Sequence, residues 1–351
     1  MMDLDEAMAD VMPAHRFDPA PLEAYLRRHI AGFGRNMRVS QIQGGVSNPT
    51  LLLSAEGKDG LQRYVVRKKP PGALLPSAHR IDREYRVMTA LAAQGVPVPH
   101  MRLYCDDASV VGTEFFLMDY LEGRVFRDAR LPGQLPQERS AIYDSLNETL
   151  AQLHSVDPEA AGLGDYGPKG NYFERQIARW TKQYRAAETE HLPAMEELIR
   201  RLPEAVPPDD QVGIAHGDYR LENVMFHPTE PRVIAILDWE LSTLGHPMAD
   251  LAYNCFMWHS HDATWGTFDG IDFATSGIPT EDDYVAAYCR RTGRDSISHW
   301  NFYMAFGIFR LASIGQGVYK RALLGNMAMD RQMENGTATI AQQALDIFQR
   351  V

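Results

Sequence analysis

The sequence predicts an α+β fold, with a small β-rich N-terminal lobe and a larger, mainly helical C-terminal lobe. Up to about residue 118, short aliphatic runs that are typical of strands surround a single helical pattern. From residue 136 onward helical patterns dominate, and two short strand-like runs interrupt them. With 351 residues, the chain is long enough for each lobe to have its own hydrophobic core.

These patterns divide the chain into four segments. Residues 1–30 hold an N-terminal extension and a first helix, and residues 31–118 form the β-rich lobe. Residues 119–123 connect the two lobes, and residues 124–351 form the helical lobe. We expect the chemistry to need residues from both lobes.

The elements of the N-terminal lobe are indicated by turn residues and periodicity. The runs "TLLLS" and "RYVVRK" flank the turn-rich "AEGKDG", which predicts a hairpin. The stretch "HRIDREYRVMTALAAQG" has helical periodicity and stops at Gly95, a residue suited to end a helix. The run "TEFFLMDY" predicts a further strand.

The C-terminal lobe begins with a long amphipathic helix. In "PQERSAIYDSLNETLAQLHSVD", one face carries the apolar residues Ile142, Leu146, Leu150 and Leu153. Further helical patterns follow, and the two interrupting strands are predicted at "VGIAH" and "RVIAILDW". The helical pattern then continues to the end of the chain.

Composition excludes several classes of protein. A formal net charge of -11 argues against a nucleic-acid-binding protein, which normally has a basic face. The 3 cysteines are scattered and have no metal-binding spacing, which suits a reducing compartment. The acidic N-terminus does not resemble a signal peptide, and no segment is apolar enough to span a membrane. We therefore expect a cytoplasmic protein without a membrane partner.

The most informative polar residues lie in "HGDYRLEN" and at the end of the next strand. Asn223 follows Asp218 by five residues, and Asp238 ends the aliphatic run "VIAIL". Kinases use this order of residues. Phosphoryl transfer needs Mg²⁺, which prefers oxygen ligands such as Asn223 and Asp238, and a carboxylate that receives the proton of the attacking hydroxyl, here Asp218. His216 is expected to hold the backbone of this loop.

A phosphate-binding half is predicted upstream. The glycine turn in "QGGVSNPT" contains Gly44, Gly45 and Ser47, and it can bring backbone N–H groups close to phosphate oxygens. The strand "YVVRKK" places Arg67 where a kinase normally has lysine. Glu84 falls within the apolar stripe of the following helix, so it needs a charged partner, and we expect that partner to be Arg67.

The chain resembles the aminoglycoside phosphotransferase and choline kinase superfamily, which has a protein-kinase-like fold. The matching pieces cover nearly the whole chain and include "GGVSNPT", "YVVRKKPPG", "FFLMDYLEG", "HGDYRLENV", "ILDWELSTLGHPMADLAY" and "GQGVYKRAL". The chain looks most similar to the kinase-like domains associated with acyl-CoA dehydrogenases. The resemblance implies a two-lobed enzyme that uses ATP and Mg²⁺, and an association with an acyl-CoA dehydrogenase.

The resemblance also implies roles for individual residues. In "PMADLAY", Asp250 corresponds to the acid that braces the catalytic loop of the family. The link "MDYLEG" corresponds to the hinge that contacts adenine, with Met118 and Tyr120 as the contacting residues. The motif "DWE" replaces the "DFG" of protein kinases, so a switch through that glycine is not implied.

The basic residues near the end of the chain bear on the acceptor of the phosphoryl group. The last sixty residues are rich in arginine and lysine, and Arg310, Lys320 and Arg321 are candidates to contact an anionic substrate. Together with the resemblance, this favours a hydroxyacyl-CoA as acceptor. An aminoglycoside or another amino-alcohol is the alternative, and it would favour an acidic C-terminal lobe.

Two other functions are compatible with parts of the pattern. A metal-dependent hydrolase would use His216, Asp218 and Asp238 as ligands, but the spacing offers no second histidine close by. A nucleotide-binding pseudokinase scaffold is suggested by the arginine at position 67. These hypotheses differ in whether nucleotide binds and whether it turns over.

Overall fold

The computed structural model describes residues 8–42, 48–70, 80–261, 266–325 and 335–350. Contacts between residues divide the chain into two units. Unit 1 comprises the residues up to Val125, residues 161–163 and residues 223–242, and unit 2 comprises the rest. The predicted phosphate-binding residues Gly44, Gly45 and Ser47 lie outside the described residues.

The first part of the chain alternates short strands with three helices. In order, these elements are β1 (Met8–Ala9), α1 (Pro19–His29), β2 (Arg35–Ile42), β3 (Thr50–Gly57), β4 (Gly60–Lys68), α2 (Ile81–Ala93), β5 (Met101–Cys105), α3 (Ala108–Val111), β6 (Phe115–Asp119) and β7 (Arg124–Val125). Six of the strands form an antiparallel sheet in the order β1-β2-β3-β4-β6-β5.

The second part is mainly helical. Its elements are α4 (Pro136–His154), α5 (Tyr172–Ala187), α6 (Pro193–Arg201), β8 (Gly213–Ala215), β9 (Val224–Phe226), β10 (Val233–Ile236), β11 (Thr243–Gly245), α7 (Pro247–Cys255), α8 (Phe273–Ser276), α9 (Glu281–Thr292), α10 (Trp300–Leu323) and α11 (Thr337–Phe348). Strands β8 and β11 pair within unit 2, whereas β9 and β10 form a three-stranded sheet with β7 in unit 1.

The two faces of the six-stranded sheet have different neighbours. Residues of β4 alternate between the faces because side chains along a strand point to opposite sides. Val66 belongs to the core that includes Leu22 and Leu26 of α1 and Val111 of α3. The other face lies next to α2, which contacts β5 and β6. Successive residues of β4 therefore have different surroundings.

The predicted hairpin is confirmed, and its strands are longer than predicted. Strands β3 and β4 pair along their whole length, from Thr50 opposite Arg67 to Gly57 opposite Gly60. Only Lys58 and Asp59 remain in the turn. Gly60 has a φ of 123°, a conformation that favours glycine. Most of the predicted turn residues therefore extend the strands.

The helices predicted from periodicity are also confirmed. The apolar residues Ile142, Leu146, Leu150 and Leu153 of α4 are all 0% exposed. Helix α2 ends at Ala93, and Gly95 just beyond it has a positive φ of 78°. Among the described residues, no helix is long and apolar enough to cross a membrane.

Gly277→Ala should destabilise unit 2, because Gly277 has a φ of 79° and an added Cβ would overlap the carbonyl oxygen of Pro136 at the start of α4. We expect a loss of more than about 2 kcal/mol in the free energy of unfolding, measured in urea. The control is Gly315→Ala in α10, where the nearest side-chain atom lies 3.8 Å away. This change should be neutral or stabilise by up to about 1 kcal/mol. Equal effects of the two substitutions would contradict the prediction.

Candidate functional site

In unit 1, one guanidinium group lies among three carboxylates. The Nε atom of Arg67 is 2.8 Å from Oε2 of Glu84, and its Nη2 atom is 3.2 Å from Oδ1 of Asp238. A third acid, Glu240, lies 3.8 Å from the same Nη2 atom. The structure thus brings together Arg67, Glu84 and Asp238, which the sequence predicted for this site. It adds Glu240, which only its place two residues after Asp238 could have indicated.

Secondary structure positions this ion pair. Arg67 lies on β4, opposite Phe116 of β6, and its side chain is 14% exposed. Glu84 lies in the first turn of α2, on the buried stripe with Ile81 and Met88, and is 2% exposed. Asn48 donates from Nδ2 to Oε1 of Glu84 at 3.1 Å, so both carboxylate oxygens of Glu84 have partners.

The electrostatics of this group favour the arrival of a cation. Burial raises the pKa of Glu84, Arg67 opposes this rise and the charges of Asp238 and Glu240 add to it, so that the pKa lies at about 7. Because three carboxylates face one guanidinium, the group has an excess of negative charge when all are ionised. A divalent cation would relieve this repulsion.

Asn223 and Asp238 are brought together by a pair of strands. Asn223 immediately precedes β9, and Asp238 lies two residues after β10. The two strands are antiparallel, with Val224 opposite Ile236, so both residues lie at the same end of the pair. The N–H of Leu237 donates to the carbonyl oxygen of Asn223 at 2.8 Å. Their amide and carboxylate oxygens are hard donors, which fits Mg²⁺.

In unit 2, a buried carboxylate holds the loop that contains Asp218. Asp250 of α7 accepts hydrogen bonds from the backbone N–H of His216 at 2.6 Å and of Gly217 at 2.8 Å. Burial alone would raise the pKa of Asp250. The hydrogen bond from His154, together with the backbone hydrogen bonds and positive charges that surround the carboxylate, outweighs burial and lowers the pKa below its ordinary value. This carboxylate, 2% exposed, is therefore held ionised beneath the loop.

The conformation of the loop depends on its own residues as well. Gly217 has a φ of 83°, which favours glycine. The N–H of Asp218 donates to Nδ1 of His216 at 3.2 Å, and His216 is 0% exposed. His216 thus lies within the loop as a buried hydrogen-bonding residue. His154 donates toward Asp250 from Nε2 at 3.3 Å and contacts the hydroxyl of Tyr288 through Nδ1 at 2.7 Å.

Asp218 has a partner that the sequence analysis missed. The hydroxyl of Tyr253 donates to Oδ1 of Asp218 at 2.5 Å. Burial, followed by the charge of Asp218, raises the pKa of Tyr253, so the phenol remains a donor. The available signal was the position of Tyr253, one helical turn after Asp250 on α7. Tyr253 fixes one oxygen of the half-buried Asp218.

The basic residues proposed for the acceptor lie in different environments. Arg310 is 7% exposed and donates from Nη2 to the carbonyl oxygen of Gly217, with its guanidinium 5.2 Å from the ring centre of Tyr253. Lys320 donates to the carbonyl oxygen of Ala186 at 2.8 Å, and Arg321 is exposed. The structure therefore places Arg310 beneath the Asp218 loop, with Arg321 as the exposed member of the three.

The residues predicted to contact adenine lie at the end of β6. Met118 pairs with Val65 of β4 and Met101 of β5, and it is half-buried. Tyr120 follows the strand, is half-buried, and has the guanidinium of Arg63 5.7 Å from its ring centre. The assignment of adenine to these residues stays a prediction.

The chain is similar to known proteins along most of its length. The model described as "Phosphotransferase enzyme family" matches residues 38–299. Acyl-CoA dehydrogenase family member 11 of Rattus norvegicus is 45% identical over 361 residues, which cover 99% of this chain and 45% of the relative. A crystal structure of a candidate aminoglycoside phosphotransferase from Ralstonia eutropha is 47% identical, with a TM-score of 0.87, and the match covers 95% of this chain and 98% of that chain.

A more distant solved structure shows the same fold. Choline kinase from Cryptosporidium parvum has a TM-score of 0.63 at 14% identity, and the match covers 94% of each chain. The predicted α+β, protein-kinase-like fold and the resemblance to the aminoglycoside phosphotransferase and choline kinase group are confirmed. The chain spans about half the length of the curated relatives it matches, 45% in the case of the rat protein.

His246→Asn should remove part of the acid sensitivity of unit 2. His246 caps α7 by accepting from the N–H of Met248 at 3.2 Å, and burial lowers its pKa to about 4. A histidine whose folded-state pKa lies below its ordinary value of 6.5 contributes stability that is present above pH 6.5 and is lost as the pH falls toward 4. Asparagine keeps a capping oxygen and does not titrate.

The measurement is the free energy of unfolding of both proteins between pH 7 and pH 4. We expect the wild-type protein to lose about 3 kcal/mol more than His246→Asn over this range. Because all other titrating groups are common to the two proteins, the difference isolates His246. Parallel pH curves for the two proteins would show that His246 does not titrate as its burial implies.

Proposed function

Because the chain belongs to the phosphotransferase enzyme family, we propose that it transfers the γ-phosphoryl group of ATP to a hydroxyl group of a small molecule. The observation that carries this proposal is the buried Arg67–Glu84 ion pair next to Asp238. Active kinases require a basic residue of the third strand held by an acid of the following helix, together with a metal-binding aspartate. Here an arginine takes the place of the usual lysine.

Unit 1 supplies the groups that hold the nucleotide. Glu84 orients the guanidinium of Arg67, which binds phosphate oxygens well because its donors form a planar fork. Asn223 and Asp238 would hold Mg²⁺, which supplies charge neutralisation of the phosphates. In the same proposal, Gly44, Gly45 and Ser47, which lie outside the described residues, bind the phosphates, and Met118 and Tyr120 contact adenine.

Unit 2 supplies the base. The oxygen of the acceptor hydroxyl forms a bond to the γ-phosphorus, the bond from that phosphorus to the bridging oxygen of ADP breaks, and the hydroxyl proton passes to Asp218. Tyr253 holds Oδ1 of Asp218, which leaves the other oxygen to receive the proton. Because such transition states are loose, the base acts mainly by orienting the hydroxyl. Asp250 and Arg310 fix the loop from below.

The structure weighs against the hydrolase alternative. His216 is 0% exposed and uses Nδ1 to accept from the N–H of Asp218. A metal ligand would need an accessible ring nitrogen, so His216 is better suited to support the loop. The pseudokinase alternative is weakened because Arg67 makes the ion pair with Glu84 that an active kinase needs.

We propose an anionic acceptor that carries a hydroxyl group, such as a hydroxyacyl-CoA. Support comes from relatives named acyl-CoA dehydrogenases, whose names also motivate a proposed association with such an enzyme. The basic residues add less support, because Arg310 and Lys320 already have protein partners and Arg321 is the exposed one. An amino-alcohol is the alternative acceptor, because solved structures of similar fold include a choline kinase.

Asp218→Asn should lower the rate of ADP release with an acceptor by about 10²–10⁴-fold while ATP binding is retained, because the amide cannot receive the proton.

Asp238→Ala should weaken Mg²⁺-dependent ATP binding itself, because it removes a metal ligand. Coupled ADP release and calorimetry measure the two effects. The matched control is Asp295→Asn at an exposed position, which should change neither. ATP binding without turnover in the wild-type protein, unchanged by Asp218→Asn, would instead support the pseudokinase.

An acceptor screen tests the substrate class. Hydroxyacyl-CoAs should accelerate ADP release, whereas acyl-CoAs of the same chain length without the hydroxyl should not, because they offer no nucleophile. Aminoglycosides and choline-like alcohols form the comparison set. Acceleration by an amino-alcohol and by no hydroxyacyl-CoA would overturn the acceptor proposal and leave the phosphotransferase proposal intact.

A further inference from the structure

Lys68 is a buried cation on the face of β4 opposite Arg67. It is 3% exposed, and its Nζ atom lies 3.3 Å from the carbonyl oxygen of Val111. The ring centre of Phe17 lies 5.0 Å from the same atom. In the part of the chain that the structure describes, no carboxylate oxygen lies within 4.0 Å of the Nζ atom of Lys68, which is the limit for an ion pair. An ammonium group has three donors, and one long contact to a carbonyl satisfies them poorly.

The cations on either side of Lys68 in the sequence have the ionic partner that Lys68 lacks. Arg67 pairs with Glu84 and Asp238, and Lys69 pairs with Glu114 at 2.8 Å. Burying a charge is costly unless it is paired, and a lysine without an anion usually has a lowered pKa. Burial does lower the pKa of Lys68. The side chain is therefore held in a place where an anion would stabilise it.

A cavity of about 320 Å³ adjoins Lys68. It lies between the segment that leads into α1 and the α3 region, and its apolar lining includes Phe17, Val110 and Val111. Arg16 adds a second cation at the exposed edge, with its Nε atom donating to the carbonyl oxygen of Val11 at 2.9 Å. The volume is at the lower end of the range of small-molecule sites.

The charges around this cavity are mainly positive. The pKa of His15 is lowered first by burial and then by the charge of Lys68. The carboxylate in the lining belongs to Asp18, which accepts from the N–H of Ala20 at 3.0 Å as the cap of α1. Asp18 is thus committed to the helix and is not paired with Lys68.

We propose that this cavity binds a small molecule with one carboxylate on a short apolar body. The carboxylate pairs with Lys68, and the apolar body contacts Phe17, Val110 and Val111. A phosphate group is the less suitable anion, because it brings more charge and more acceptor oxygens than one ammonium and the edge guanidinium of Arg16 match. This site belongs to unit 1 and is separate from the residues proposed for phosphotransfer.

Calorimetry and thermal unfolding of the full chain with hexanoate, hexanamide and inorganic phosphate test the proposal. Hexanoate should bind at least tenfold more tightly than hexanamide, which has the same shape without the charge, and should raise the Tm. Lys68→Met should weaken hexanoate binding at least tenfold, and it should fold because methionine fills the same apolar volume. Lys58→Met, at an exposed position of the β3–β4 turn, removes the same charge and should bind hexanoate as the wild type does.

A second variant keeps the test decisive if Lys68→Met does not fold. Ala108→Phe at an exposed position of the lining should fill the cavity from its edge and abolish hexanoate binding. Equal binding of hexanoate and hexanamide, stronger binding of phosphate, or unchanged binding in both cavity variants would overturn the proposal. These readouts do not depend on ATP turnover, so their failure leaves the proposed phosphotransferase activity untouched.

Discussion

The ion pair between Arg67 and Glu84 is the constraint on which unit 1 depends. An isolated carboxylate in the position of Glu84 would be too costly to bury, so its place in the apolar stripe of α2 requires the guanidinium of Arg67. The same guanidinium also contacts Asp238, which belongs to a distant part of the chain. A single strand residue thereby links α2 to the segment between β10 and β11. The position of Asp238 depends on a pair of charges that are themselves nearly hidden from water.

Unit 2 uses a similar principle with a different partner. Asp250 is buried like Glu84, but backbone N–H groups and His154 stabilise it instead of an arginine. In both units a buried acid fixes the position of a more exposed one, Asp238 in unit 1 and Asp218 in unit 2. In the proposed reaction the two more exposed acids contact metal and acceptor, and their buried neighbours hold them in orientation.

Much of the fold could be predicted from local patterns. The burial of α4, the β3–β4 hairpin and the stripe of α2 follow from periodicity, which depends on residues close in sequence. The need of Glu84 for a charged partner was also visible, because an acid within an apolar stripe contradicts its surroundings. The turn between β3 and β4 was predicted to be longer than it is. Turn-forming residues such as Lys58 and Asp59 do not reveal how far the strands pair on either side of them.

Other parts of the site could not be predicted from the sequence. The bond from Tyr253 to Asp218 joins residues 35 positions apart, and nothing local requires a tyrosine to face the loop. Arg310 was a candidate to contact an anionic substrate because of its charge, whereas it lies beneath Gly217, where the rings of Trp180 and Tyr253 accommodate its guanidinium. The positive charge of Arg310 did not by itself show whether the side chain would be buried beneath the loop or would contact a substrate.

Arg67 and Lys68 of β4 and Lys69 just after the strand have different surroundings: Glu84 and Asp238, the α1 face, and Glu114. A shift of one residue in the pairing of β4 would send Arg67 toward the α1 face and remove the partner of Glu84. The two-residue turn at Lys58 and Asp59 sets this register. Surface turns usually tolerate insertions and deletions well, but a single-residue change in length that shifted the register here would separate Arg67 from Glu84. Variation in this family should therefore spare the length of this hairpin even where its turn residues change.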